Sequence, residues 1–218
     1  MARIASATGR YGGRPASERH AERRVRLREA GLDLFGAGPG YRNSRLVDVC
    51  KRAGLSTRQF YEEYNTLEDL LADLHLYVND LVEQRFIDEI GRVEDLPIRE
   101  RVARMVHIYI GAATADRRHT RILFVEIVGV SERLNQQRLE RRSRWIELMV
   151  ELYEEALRRG SSAPFDPRLT AAAFVGSVNG LMHDWTVGWV AATSDQVADE
   201  LQRMLTGRLE YGHAEDRS

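Results

Sequence analysis

Apolar residues recur at intervals of three and four along nearly the whole chain, and no stretch alternates over a strand's length. That period predicts an all-α protein of about nine helices. A first helix is expected from about Ser17 to Phe35, with Val25, Leu27, Ala30, Leu34 and Phe35 inward and Gly36–Gly40 ending it. Short helices follow Ser44 and Ser56. Thr66-Leu-Glu-Asp69 has the order of a capping box, opening a long helix whose Leu67, Leu70, Leu71, Leu74, Val78, Leu81 and Val82 hold the spacing. Further helices are expected from Pro97 to about Ala115, over Arg117–Val130, and from Ser131 to Arg159. Two more run from the Asp166-Pro167 cap to about Ala191 and from Ser194-Asp195 to about Tyr211.

The pattern changes character between residues 40 and 71, GYRNSRLVDVCKRAGLSTRQFYEEYNTLEDLL. Ser44 is placed to cap a short helix whose Leu46, Val49 and Cys50 face inward. Ala53 is small where two helices approach, and Gly54 supplies the left-handed backbone of a tight turn. Ser56 caps the next helix, Gln59 completes a capping box, and Phe60 and Tyr64 anchor that helix from beneath. Thr57, Arg58 and Gln59 then lie in its first turn, where a recognition helix presents side chains to base edges in a major groove. Two packed helices with a glycine turn would explain the glycine and the apolar residues, but not the order of caps and polar residues together.

With these residues in view, the sequence resembles the TetR family of bacterial transcription regulators. The match runs through Gly40-Tyr41, Asp48, Arg52-Ala-Gly54, Leu55-Ser56, Phe60-Tyr61, Tyr64, Glu68 and Leu70-Leu71. The resemblance implies a helix-turn-helix domain over residues 17–66, with its motif at about 44–63, and a ligand-binding and dimerisation domain over 67–218. It further implies a homodimer on a palindromic DNA operator, released when a small molecule changes the separation of the two DNA-binding heads. Carried over by position, Ser44, Arg45 and Tyr61 would meet phosphates, and Thr57, Arg58 and Gln59 bases or phosphates. Three residues depart from the family pattern. Glu62 and Glu63 stand where basic, His or aromatic residues are common, and Leu67 where a Lys commonly meets the backbone. The two carboxylates would either repel phosphate, with Arg58 four residues before Glu62 able to pair with it, or point to solvent away from DNA.

Charge supports a division at the same place. The net charge is −1, yet residues 1–64 carry 13 basic and 7 acidic side chains, whereas 65–218 carry 19 and 26. A segment of +6 followed by one of −7 separates a part suited to polyanions from a part that is not. Residues 1–16 read as a basic arm whose Arg10 and Arg14 could enter a narrow minor groove, or as an ordinary tail.

In the remainder, the helix from Asp166 has a small-residue seam of Ala172, Gly176 and Gly180, and the last helix an apolar stripe of Val197, Leu201, Met204 and Leu205. By the resemblance these pair with their symmetry mates; alternatively they are buried within one subunit. His107, Tyr109, Phe124, Trp145, Met149, Asn179, His183 and Trp185 lie on apolar helical surfaces and are candidates to line a pocket for an apolar or amphipathic effector. Asn179 and His183 share a face, and Arg104 and Arg121 are candidates to meet an anionic group on the ligand.

An enzyme finds little support. There is no phosphate-cradling glycine loop, nucleophile motif or metal-spaced histidine set, so no catalytic residue, metal or cofactor is assigned. Cys50, the single cysteine, falls at a position expected to be buried and inert. A third possibility keeps the fold but turns the head towards a protein partner, with Glu62, Glu63 and Leu67 as its marks. No run approaches the roughly 18 apolar residues of a membrane span, and residues 1–16 lack the apolar stretch of a signal peptide, so the cytoplasm is expected.

Overall fold

The computed structural model describes residues 15–93, 96–158 and 166–210; Arg10 and Arg14 lie outside them. Among the described residues there are nine α-helices and no strands. They are α1 (Ala16–Gly31), α2 (Leu46–Ala53), α3 (Thr57–Tyr61), α4 (Leu67–Ile90), α5 (Ile98–Thr114), α6 (Arg117–Arg121), α7 (Glu132–Arg158), α8 (Pro167–Thr186) and α9 (Ser194–Glu210). Two π-helical turns, Leu32–Ala37 and Ile122–Glu126, continue α1 and α6.

Local chemistry sets most boundaries. Ser56 and Gln59 form the expected capping box on α3, and Thr66 and Asp69 form one on α4. Asp166 caps α8 through the Leu169 amide, with Pro167 in the first turn. Gly54 turns the chain between α2 and α3 with φ 63°, the left-handed conformation. Its carbonyl and that of Ala53 accept hydrogen bonds from Arg26 of α1, at 2.8 and 2.9 Å, closing the end of α2.

Three boundaries differ from the sequence pattern. Ser44 does not cap α2. Its hydroxyl donates to the Gly40 carbonyl at 2.8 Å because Tyr41–Asn43 form a 3₁₀ turn folded over Gly40, and Arg45 takes the cap position. The eighth helix stops at Thr186, before a turn through Gly188 at φ 85°. The ninth is capped one residue earlier than expected, by Thr193 paired reciprocally with Gln196.

One apolar core runs through the molecule. Leu27, Phe35, Val49, Cys50 and Phe60 form its end between α1, α2 and α3, and Leu70, Leu71 and Leu74 of α4 continue it. Val78, Val82 and Phe86 carry it down α4 to α5 and α7, while Val197, Leu201 and Leu205 of α9 close it against α5. At about 1.5 Å per residue the 24-residue α4 is some 36 Å long, so one rigid element reaches from the head formed by α1–α3 into the rest of the molecule.

Candidate functional site

Two regions concentrate functional chemistry. On the head, Arg45 begins α2 and Thr57, Arg58 and Tyr61 lie on α3, all exposed. The Arg58 side chain is 91% exposed and Tyr61 58%. Among the described residues Arg45 makes no ion pair or side-chain hydrogen bond, so its charge is free to meet an anion. Gln59 is held differently from these. Its Oε1 accepts from the Ser56 amide at 2.9 Å, so the carbonyl end serves the capping box and its amide NH₂ is the group left to point outward.

Both acids just past the end of α3 are taken up by α1. Glu62 pairs with Arg23, and Arg58 approaches its other oxygen at 3.7 Å. The Glu63 side chain is 3% exposed and faces His20 Nδ1 at 2.6 Å, Arg24 at 3.5 Å and Arg23 at 3.9 Å. The hydrogen bond from Arg23 holds the Glu62 carboxyl below its ordinary range. Neither carboxylate is a bare negative charge on the outer face, and Leu67 is half-buried against the core.

Ionic and close-packed contacts fasten the head to the rest. Arg28 binds Asp73 of α4 with both ends of its fork, at 2.7 and 2.9 Å, and Tyr64 donates to the same carboxylate. Burial pushes the Asp73 carboxyl up, but these hydrogen bonds outweigh it and hold the group low. At the end of α1, Arg118 of α6 contacts Glu29, Asp33 and Asp116 at 2.5 to 2.8 Å, and Asp33 also accepts from Arg52 of α2 at 2.7 Å. Gly36 allows this approach: a Cβ there would stand 2.7 Å from the Arg118 backbone. Tyr41 N–H donates to Glu126, which also accepts from Arg121 at 2.7 Å. Arg121 is thus committed to this junction and not to a ligand.

The second region is an apolar pocket between α4, α5, α7 and α8. Phe86, Tyr109, Trp145, Met149, Phe174 and Asn179 are among its lining residues, none of which is charged. Trp145 stands edge-on to Phe86 and Tyr109, with ring centroids 5.3 and 4.8 Å away, forming an aromatic wall between the pocket and a surface groove beside Glu83 and Glu147. Burial pushes the Tyr109 hydroxyl well above its ordinary value, keeping it neutral. The enclosed volume is about 60 Å³, well below the few hundred Å³ typical of a small-molecule site. The pocket is small and must widen to admit a ligand of that size.

A family model described as "Tetracyclin repressor-like, C-terminal domain" matches residues 95–209, more than half of the chain. The chain belongs to the TetR family of transcriptional regulators. It is 24% identical over 177 residues to the nucleoid occlusion factor SlmA of Vibrio atlanticus, covering 77% of this chain and 86% of that protein. Its fold is similar to that of the transcriptional regulator FadR of Bacillus subtilis, solved in complex with stearoyl-CoA. The TM-score is 0.72 at 17% identity, over 84% of this chain and 98% of FadR. It is also similar to AibR, solved with isovaleryl coenzyme A and operator DNA, at a TM-score of 0.65 and 20% identity over 84% and 97% of the two chains. The family is one of regulators, not of enzymes.

Within this TetR fold, the pocket brings together four of the eight candidate ligand residues: Tyr109, Trp145, Met149 and Asn179. The other four are elsewhere. His107 faces α9, 2.9 Å from Gln202 and 3.3 Å from Asp199. Phe124 is buried in the core at the π-turn, and His183 pairs with its neighbour Asp184 at 3.1 Å. Trp185 donates from its indole N–H to the Ala192 carbonyl across the α8–α9 turn. His107 and His183 thus face polar partners and are partly exposed, while Phe124 and Trp185 pack away from the pocket.

The candidate dimer residues need a similar correction. Val197, Leu201 and Leu205 are buried against α5 of their own subunit, and only Met204 of that stripe is exposed. Ala172 and Gly176 face Arg142 of α7, which donates to the Ala172 carbonyl. Gly180 alone of the small seam looks outward, with nothing within 4 Å of a Cβ there. Leu169, Ala173 and Gly180, with Val187 just past the helix end, make the exposed stripe of α8, one rotation step away from the expected one. The pairing of α1 with Glu63 was also not foreseen; the signal was available in the basic cluster Arg23-Arg24 on the first helix.

Proposed function

We propose that this regulator is a ligand-responsive repressor. A homodimer binds a palindromic operator through α2 and α3, and an apolar or amphipathic small molecule in the α4–α8 pocket releases it. In this reading residues 17–66 are the DNA-binding domain and 67–218 the ligand-binding and dimerisation domain. The observation that carries it is the double engagement of α4. Leu70, Leu71 and Asp73 lock its beginning into the head, while Phe86, four turns further on, forms part of the pocket wall. A ligand that enlarges the pocket therefore displaces the same rigid element that positions α3. The complexes of FadR with stearoyl-CoA and of AibR with isovaleryl coenzyme A and operator DNA support an acyl-bearing effector and a duplex partner.

Arg45, Thr57, Arg58 and Tyr61 are assigned to the duplex, with the outward amide of Gln59. Ser44, whose hydroxyl is held by Gly40, is left as a positioning residue for the turn before α2. The internal pairing of Glu62 and Glu63 removes the motive for turning the head to a protein partner. Selection of bound duplexes from a random pool, followed by release with stearoyl-CoA, isovaleryl coenzyme A and free fatty acids, tests the reading. Failure to bind any duplex in a salt-dependent manner would sink it.

A further inference from the structure

Arg142 lies on α7 one turn before Trp145 and two turns before Met149, on the flank that meets α8. Its Nη2 donates to the Ala172 carbonyl at 3.3 Å and lies 3.2 Å from where a Cβ on Gly176 would stand. Gly176 follows Val175 and precedes Asn179 by one turn, and both of those line the pocket. Arg142 Nε is buried without a hydrogen-bond partner, and among the described residues no carboxylate pairs with this side chain. Its neighbours are matched: Arg141 binds Asp80 and Glu83, Arg144 binds Glu83, and Arg138 binds Asn135. One uncompensated cation, partly withdrawn from water, therefore stands one helical turn along α7 from Trp145 of a pocket whose own lining is uncharged.

A buried guanidinium is stabilised when a planar anion accepts from its fork, and a carboxylate matches that geometry. We propose that Arg142 binds the carboxylate of an aliphatic carboxylic acid whose hydrocarbon tail fills the pocket. This rests on the reading of the pocket as the effector site, and names the class of effector. Nε, now without an acceptor, would donate to one carboxylate oxygen, and a terminal nitrogen of the guanidinium to the other. Gly176 leaves room for the guanidinium itself beside α8, since a Cβ there would stand 3.2 Å from Nη2. The acid would replace the missing counter-charge and widen the small pocket in one event.

The test compares decanoate, methyl decanoate and decanoyl-CoA by calorimetry, with the wild type, Arg142→Met, Arg142→Lys and Tyr109→Phe. The expected wild-type result is a preference of about tenfold or more for decanoate over its methyl ester, the scale of one charge-assisted contact. Arg142→Met should remove that preference while leaving methyl decanoate binding unchanged, which also shows that the variant is folded. Arg142→Lys should recover part of it, and Tyr109→Phe should keep it. Equal affinity of the wild type for acid and ester overturns the proposal. Loss of the preference in Tyr109→Phe alone, or binding of decanoyl-CoA without decanoate, does so too. Duplex binding by the unliganded protein, measured in parallel, separates this outcome from failure of the repressor reading itself.

Discussion

The side chains of α3 show how one substitution outside the DNA-facing surface can alter that surface. Arg23 is on α1, yet it covers Glu62 and approaches Glu63. Arg23→Ala should weaken duplex binding by exposing the Glu62 carboxylate to phosphate, and Glu62→Gln in the same chain should restore most of the loss. A double-mutant cycle of duplex affinity checks this, and additive effects would contradict it. Gly54 carries a different constraint. Its φ of 63° strains any side chain, and a Cβ there would stand 2.7 Å from the Arg26 guanidinium, which would have to shift. Gly54→Ala should cost about 1–2 kcal/mol of stability from the left-handed backbone alone, measurable by urea unfolding. Both the glycine turn and the Ser56–Gln59 capping box were legible in sequence, because each is settled within four residues. The role of Ser44 was not legible, because it depends on the backbone of Gly40 and on the 3₁₀ turn that follows.

Among elements, the α4–α7 seam joins charge to burial. Arg133 binds Glu68 and Asp69, Arg141 and Arg144 reach Asp80 and Glu83, and His75 is buried between these ladders with Gln137 against its Nδ1. Burial, with Arg141 and Arg138 nearby, lowers the His75 pKa to about 4 from 6.5. The native state therefore stays unprotonated where the unfolded state has taken up a proton. The stability from His75 is fully present above pH 6.5 and is lost as pH falls from 6.5 towards 4, by on the order of 3 kcal/mol. Urea unfolding at pH 7.5 and 4.5 should show this loss in the wild type and a smaller one in His75→Gln; equal losses would refute it. The seam's helices were evident from periodicity and caps. Their pairing was not, since an arginine on α7 carries no local mark of the acid it will meet. The π-turns at 32–37 and 122–126 were equally hidden: each is wider per turn than the period that revealed its helix, and the two pack against each other where α1 and α6 continue.

For the whole molecule, the open question is the second subunit. The stripe Leu169, Ala173 and Gly180 on α8, with Val187 just past its end and Met204 on α9, is exposed and rich in small or apolar residues. Such a stripe allows two helices to approach closely, so the protein is expected to sediment as a dimer. Gly180→Trp should shift it towards monomer and weaken operator binding, since a monomer engages a single half-site; an unchanged sedimentation profile would place the interface elsewhere. Fold class and the helix-turn-helix were readable along the chain because they follow from periodicity and caps. The exposed face of α8 and most of the pocket lining were not, because an apolar stripe records that a surface is covered and leaves open which helix covers it.

One carboxylate at the junction has a wider consequence. Asp33 is shared between Arg52 of the head and Arg118 of α6, and although burial alone would push its carboxyl up, these two partners keep it ionised. A group divided between two cations is a point of competition. An anion that draws Arg52 outward leaves Asp33 wholly to Arg118 and tightens the joint behind it. A movement of α6 that takes Arg118 away instead leaves Asp33 wholly to Arg52 and occupies a cation on the head. The two partners thus oppose each other through a single side chain, and by reciprocity each must sense the other's state to the same degree.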